Sequence, residues 1–506
     1  MHSIIPMKRG VQLTAGAAMI CIVAACGQDN EASGGAESVA GPVADPVAEA
    51  DSIRGAPSEE NHFIATPAGW QHPRTPWGDP DIQATLNMMQ AAGVPLERCS
   101  TSIGGFGPPR PCSLDDVWNP EEEYNERMEA VANRVDRSRQ ALAEGDIALS
   151  YQTGGMDPSL PQRQTNLIVD PANGLLPALT PQAKAQAFEM GSDWPLPGED
   201  INFQSQADFD SWDRCITRGM PSMMMPYRYN GGFKIHQSPG YVIFNIEMIH
   251  EARVIPVGDA PALSPGIRQY LGESRGHWEG NTLVIETTNY NADPSANVPL
   301  INLAVVGSPP GNRFPISDQL KTTERVTRLN DDWWLYEITT EDPGVLTDSF
   351  TVRYPMHHDS EYWWPEYACH EDNTIVRNYT ETNRYALANP TPEPPQTPVA
   401  VGEDLAASLA GRWVGTPVTR TIEYDIALEF TDNGDGTVNG QLIGTTLGPI
   451  NKPLRNFEIA DGAISFTFPN VDPWRFSGSI SEDGTIAGVT SSVQGSARLT
   501  LTHISN

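Results

Sequence analysis

The chain has 506 residues and carries 64 acidic against 32 basic side chains, a net charge of −32. That balance argues against nucleic acid as a partner, because phosphates demand a basic face, and against surface-charge attraction to anionic lipid. Twelve Trp and 44 Pro point to a β-rich, loop-rich body, and the length allows two or three domains.

Residues 1–26 have the form of a processing signal. Lys8 and Arg9 make a basic start, and Val11 to Ala25 is an apolar run too short to span a membrane. Val23-Ala24-Ala25-Cys26 resembles a bacterial lipobox, after which Cys26 becomes the acylated terminus; an ordinary signal peptide is the competing reading. By resemblance to lipoprotein sorting signals, Gly27, with no Asp after the cysteine, favours the outer membrane, so a lipid-anchored cell-envelope protein is expected, with the membrane reached only through the lipid. Residues 27–60 are Gly, Ala, Ser, Pro, Asp and Glu almost throughout and read as an acidic tether.

The main domain is expected over 61–386. Residues 62–99 are rich in Pro and Gly and read as irregular or edge structure. Asn119-Pro120 followed by Glu121, Glu122 and Glu123 predicts a helix to Glu144, and Thr180-Pro181 a second helix ending near Gly191. From residue 201 the pattern turns to β. Strands are expected around Ser238-Pro239-Gly240, in a hairpin across Glu279-Gly280-Asn281, and in a meander over 318–353 turning at Asn330-Asp331-Asp332. An antiparallel barrel or curved sheet with peripheral helices accounts for these elements. Residues 387–400 form a Pro-rich spacer. Residues 401–506, with turns at Asp435-Gly436, Asp461-Gly462 and Asp483-Gly484, predict a small β-sandwich or lipocalin-like module.

Four cysteines follow the lipid cysteine, and three pairings are open. Cys99 with Cys112 closes a short Gly/Pro loop, and Cys215 with Cys369 would then join two distant segments. No C-x-x-C or H-x-x-H spacing supports a metal site, and no H-E-x-x-H, Rossmann glycine pattern, phosphate loop or haem motif is present, so neither metal nor cofactor is expected.

RTPWGDPDIQ (74–83), QTNLIVDP (164–171), RCITRGMP (214–221), EMIHEARVIP (247–256), GESRGHWEGNTLVIETTNY (272–290), TERVTR (323–328) and EYACHEDN (366–373) together resemble a family of secreted, functionally undescribed bacterial proteins typical of sphingomonads. The resemblance covers about 62–385 and implies no particular reaction. Members more often read DLQGTW where this chain has DIQATL. Residues 403–504 separately resemble the small β module that accompanies some bacterial secreted hydrolases.

The densest ionisable patterns mark the candidate site. Glu247 and His250 are three apart, on opposite faces of a regular strand, but able to converge if the chain loops near Ile249. His250, oriented by Glu247, is the candidate proton-transfer group, with His370 and Glu371 completing the catalytic set. Arg214, Arg218, Arg253, Arg275 and Trp278 are candidate substrate contacts. A bridge from Cys215 to Cys369 would bring Arg214 and Arg218 beside His370 and Glu371. Gly272-Glu273-Ser274-Arg275-Gly276 matches a nucleophile elbow in letters, but a hairpin follows where a helix is required. The expected function is a cofactor-independent extracytoplasmic lyase or hydrolase using acid/base chemistry on a small or oligomeric carbohydrate or aromatic substrate. The alternative is a non-catalytic envelope lipoprotein in which the same groups form a structural charge network.

Overall fold

The computed structural model describes residues 57–100, 113–145, 162–199, 203–227, 229–302, 305, 308–362, 364–371, 373–390, 395–417, 424–469, 474–481, 484–492 and 495–504. The signal segment with Cys26, nearly all of the tether, and Cys112 lie outside the described residues. The fold is mainly β. No helix among the described residues is long and apolar enough to cross a membrane.

Ten strands build the main body: β1 Ala84–Asn87, β2 Ile168–Asp170, β3 Gly232–Ser238, β4 Tyr241–Ile246, β5 Glu251–Pro256, β6 Glu273–Glu279, β7 Thr282–Thr288, β8 Lys321–Arg328, β9 Trp333–Glu341 and β10 Phe350–His357. They pair as two antiparallel sheets, β1-β3-β4-β5 and β2-β10-β9-β8-β7-β6. Both seams are bridged. Val257 meets Gly276 between β5 and β6, and Leu86 meets His358 between β1 and the end of β10. The body is therefore barrel-like, with few free edges exposed to further pairing. Alternation fixes what points inward. Thr322, Glu324 and Val326 of β8 face Trp334, Tyr336, Ile338 and Thr340 of β9 inside the barrel, and all seven are buried.

Helix α1 (Glu121–Ala143) carries three glutamates in its first turn, where the helix dipole favours anions. It begins where expected, and Arg127 pairs with Glu123 at 2.5 Å. The side-chain amide of Asn119 donates to the carbonyls of Gln162 and Gln164 at 3.2 and 3.3 Å, so this residue also fastens the helix start to a neighbouring segment. Helix α2 (Pro181–Glu189) is capped by the Thr180 hydroxyl, which accepts from the Ala183 amide at 3.2 Å. Helix α3 (Ile375–Ala388) follows EYACHEDN and buries little beyond Thr380.

A short helix α4 (Glu403–Leu409) and strands β11 (Val399–Ala400), β12 (Gly411–Gly415), β13 (Ile426–Asp432), β14 (Thr437–Thr445), β15 (Gly448–Pro453), β16 (Arg455–Ala460), β17 (Ala463–Thr467), β18 (Arg475–Ile480), β19 (Ile486–Ser492) and β20 (Gly495–Ile504) make the C-terminal part. Its single ten-stranded antiparallel sheet is nearly closed, and the Leu454 amide, between β15 and β16, extends the β14–β15 pairing by donating to the Gly440 carbonyl at 2.9 Å. Gln396 staples that pairing, donating to the carbonyls of Gly440 and Leu454 at 2.9 and 2.8 Å and accepting from the Gly440 amide at 2.8 Å. The second half of the Pro-rich spacer is thus part of this sheet. Ala187 and Leu196 of the main chain segment pack into the same C-terminal core, and Trp474 Nε1 donates to the Pro195 carbonyl at 2.9 Å.

Candidate functional site

EMIH is the loop between β4 and β5, whose strands pair from Ile246 opposite Glu251 onward. Ile249 and His250 both have positive φ, 59° and 45°. A β-branched residue rarely adopts this left-handed conformation, and such strain persists only where surrounding contacts enforce it. Here the His250 amide closes onto the Glu247 carbonyl at 2.8 Å, and the Glu247 amide onto Gly232 at 2.9 Å.

The loop separates the two residues expected to cooperate. Glu247 is buried, and its carboxylate accepts from Asn230 Nδ2 at 2.7 Å, from the Gly232 amide at 3.0 Å and from the Tyr362 hydroxyl. A side chain at Gly232 would collide with this group, its Cβ lying 2.6 Å from Glu247 Oε2. His250 points outward, its Nδ1 2.8 Å from the Tyr367 carbonyl. A carbonyl only accepts, so Nδ1 carries a proton, and in the neutral ring the lone pair is on Nε2. Glu247 therefore does not orient His250; the backbone of Tyr367 does.

Arg253 is placed away from this loop surface. On β5, Glu251, Arg253 and Ile255 share one face, and Arg253 lies inside the barrel. It meets Glu324 through two bonds of 2.9 and 2.5 Å, reaches Ser274 Oγ at 2.9 Å and Thr287 Oγ1 at 3.3 Å, and Tyr336 donates to Glu324 at 2.6 Å. Burial alone would lower the arginine's pKa, but Glu324 outweighs it and holds the guanidinium firmly charged. Ser274 is a strand residue within this network and not an elbow nucleophile. Arg275 is likewise apart, on Glu273 at 3.3 Å and the Ala260 carbonyl, and Trp278 packs against the main core.

RCITRGMP forms a tight loop held to EYACHEDN. Cys215 bonds Cys369 across 154 residues, and Asn373 Nδ2 donates to the Asp213 carbonyl at 2.9 Å. Cys99 is also disulfide-bonded. Gly219 has φ +74°, and a Cβ there would stand 2.5 Å from Val298, so this turn requires glycine. The disulfide does not gather the whole expected set. Arg214 spends its guanidinium on the carbonyls of Asp210 and Ala296 at 3.1 and 2.6 Å. His370 and Glu371 are exposed on the turn beyond Cys369.

Arg218 is different. Its side chain is fully buried at 0% exposure. The guanidinium lies 3.8 Å from the Tyr227 ring centroid and 5.3 Å from that of Trp212. None of its three nitrogens has a partner in good hydrogen-bond geometry among the described residues, and its nearest polar neighbour is the Tyr227 phenol. Tyr229, 46% exposed, stacks on Trp212 with centroids 6.3 Å apart. Glu251 lies within electrostatic reach of the guanidinium, and its Oε2 is also buried and without a partner. Burial pushes the Glu251 carboxyl up to about 7, against the opposing pull of Thr217, Arg218 and Arg253. Burial raises the Tyr229 phenol to about 12 and also raises that of Tyr367, with the Arg218 charge opposing both. The site is therefore a buried cation and a proton-holding carboxyl, unpaired with each other, beneath a partly exposed aromatic wall.

Of this group the sequence marked Arg218 and His250. Glu251 was visible in EMIHEARVIP, on the alternating face of Arg253, but spacing alone could not show that Arg218 of another loop would lie near it. Trp212, Tyr227 and Tyr229 carry no spacing signal.

Asp193, Asp210 and Asp213 lie close by, one oxygen of each within 4.8 Å of the others. Asp210 is engaged by the amides of Trp212 and Asp213 at 2.8 and 3.0 Å and by Asn312 at 2.7 Å. Burial, then its acidic neighbours, pushes Asp193 to about 6 and Asp213 to about 10. Asp213 and Asp193 also hydrogen-bond to each other, and the raised Asp213 carboxyl eases the repulsion within the trio. A separate open cleft of about 710 Å³ lies between α2 and the 291–294 and 316–318 segments, away from Arg218.

No protein-family model matches the chain, and no curated protein matches it. Among solved structures it is similar to a DUF3598-family protein with unknown function from Nostoc punctiforme, at 8% identity and TM-score 0.13 over 54% of this chain and 87% of that one. It is similar to an endo-1,5-alpha-L-arabinanase from Thermotoga petrophila, at 9% identity and TM-score 0.14 over 54% and 80%. It is also similar to transferrin binding protein B from Haemophilus parasuis, at 8% identity and TM-score 0.14 over 88% and 99%. At these TM-scores the likenesses carry no argument about fold or function.

Proposed function

We propose that this chain is an extracytoplasmic, Cys26-anchored protein that takes an organic anion at Arg218 and transfers a proton beside it, as a cofactor-independent lyase or hydrolase acting on an acidic carbohydrate or aromatic compound. The observation that carries this reading is the buried Arg218 guanidinium with no partner in good hydrogen-bond geometry among the described residues. A buried charge without acceptors is costly, whereas a bound carboxylate would supply a bidentate acceptor of matching geometry. Trp212 and Tyr229 supply stacking surface for a ring. Glu251, near half-ionised around neutrality, suits general acid/base work. His250 Nε2 is a second proton acceptor at the rim. Glu247, Arg253 and Arg275 have structural roles in this reading, and His370 and Glu371 stay on the exposed turn beyond Cys369.

A non-catalytic binding protein is the second reading, favoured by the close stacking of Arg218 on Tyr227 at 3.8 Å. The test is a turnover screen of the purified full chain against uronate-containing oligosaccharides and aromatic acids and esters. Glu251→Gln and His250→Ala are assayed alongside. Turnover falling at least ~100-fold in Glu251→Gln supports the enzyme. Saturable binding without turnover supports the second reading, and activity unchanged in both variants removes these residues from the chemistry.

A further inference from the structure

The two unpaired groups of the site specify more than an anion. Arg218 offers only donors. Glu251 Oε2, when ionised, offers only an acceptor. Both are buried, both lack partners among the described residues, and the two do not pair with each other. Within the same small region Thr217 and the Arg218 backbone serve the other side of Glu251, and the Arg253 charge stands behind it along β5. A simple carboxylate would satisfy Arg218 and leave the ionised Glu251 Oε2 facing an apolar or anionic group. A ligand that also carries a hydroxyl close to its anionic group would satisfy both.

We propose, resting on the anion-binding reading above, that the ligand is a hydroxy acid: its carboxylate binds Arg218 and a hydroxyl on a neighbouring carbon donates to Glu251. Sugar acids and aromatic hydroxy acids share this chemistry. A hydroxyl donating to a buried carboxylate discriminates strongly against the analogue lacking it, because that analogue strands the acceptor.

The experiment measures binding to the full chain by calorimetry and by tryptophan fluorescence, to which Trp212 contributes among twelve tryptophans. The ligands are the matched pair mandelate and phenylacetate, together with glucuronate and glucose. We expect mandelate to bind at least ~10-fold more tightly than phenylacetate, in line with a hydrogen bond to a charged group. Glucose, which lacks the anion, should not bind, and the glucuronate-to-mandelate ratio reports whether the skeleton is sugar or aromatic. Glu251→Met should collapse the mandelate preference to near unity, and Glu251→Gln, which keeps an acceptor oxygen, should retain part of it. Arg218→Met should abolish binding of every acid. Equal binding of mandelate and phenylacetate, lost together in Arg218→Met, overturns the hydroxy-acid inference and leaves the anion site standing. Acid binding that persists in a folded Arg218→Met protein, or no binding of any acid, overturns both. The wild-type ratio needs no variant, so a misfolded Arg218→Met does not stall the test.

Discussion

Replacing Glu251 by Gln should change how the stability of this protein depends on pH. Burial is the main cause of the raised carboxyl, which moves from an ordinary 4.5 to about 7. In the unfolded chain the same group releases its proton near ~4.3. Between those values the folded state holds a proton that the unfolded state has lost. The folded state then binds more protons, and the free energy of unfolding falls as pH rises. The contribution is fully present below the unfolded pKa and is lost as pH climbs through about 7. The gap of about 2.5 pH units, at ~1.4 kcal/mol each, amounts to on the order of 3 kcal/mol. Glutamine keeps the shape and stays neutral throughout. In urea unfolding followed by fluorescence from pH 4.5 to 8, wild type should therefore lose on the order of 3 kcal/mol relative to Glu251→Gln. Parallel profiles would refute the reasoning, since they would mean that Glu251 is solvated and its ionisation costs nothing in the fold.

Three further outcomes follow from the same contacts. Arg253→Met leaves Glu324 inside the barrel without its cationic partner, and should cost about 3–5 kcal/mol in denaturant unfolding; adding Glu324→Leu should recover part of that loss. Cys215→Ser opens a covalent loop spanning 154 residues and should cost about 2–5 kcal/mol, with a lowered Tm that reductant reproduces in wild type. Asp213 keeps its proton until about pH 10, so wild type should lose stability as pH rises towards that value while Asp213→Asn should flatten the decline; an unchanged slope in the variant would count against the raised Asp213 carboxyl.

What the sequence revealed depended on whether the signal was local. Pro120 with three following acids, and Thr180-Pro181, are complete helix-start instructions, and both helices begin there. The strands of the meander follow from alternation and turn residues alone, as Lys321–Arg328 and Trp333–Glu341 show. The disulfide between Cys215 and Cys369 was reachable by elimination once a local partner was given to Cys99. Glu247 with His250 was not reachable. Their spacing is compatible with several loop forms, and two successive left-handed residues turned the side chains apart. The Arg253–Glu324 pair is hidden in the sequence for another reason. Glu324 sits in TERVTR, where alternation does place it inward, but only the barrel's closure sets the two strands on one interior.

Arg253 and Arg218 make an informative pair, because the same fold buries both. Arg253 has a bidentate carboxylate and two hydroxyls within 3.3 Å. Arg218 is equally buried and rests on ring faces. A cation over an aromatic face returns ~2 kcal/mol or somewhat more when desolvated, whereas burying an ion costs several kcal/mol. The stacking therefore leaves Arg218 undersatisfied, and nothing in the packing forbids an acceptor, since Glu251 lies near with its Oε2 unpaired. A structural role would be served better by closing that pair, as the fold does for Arg253 and Glu324. An unclosed pair under half-exposed aromatic rings is the arrangement expected where the missing acceptor and donor arrive on a ligand.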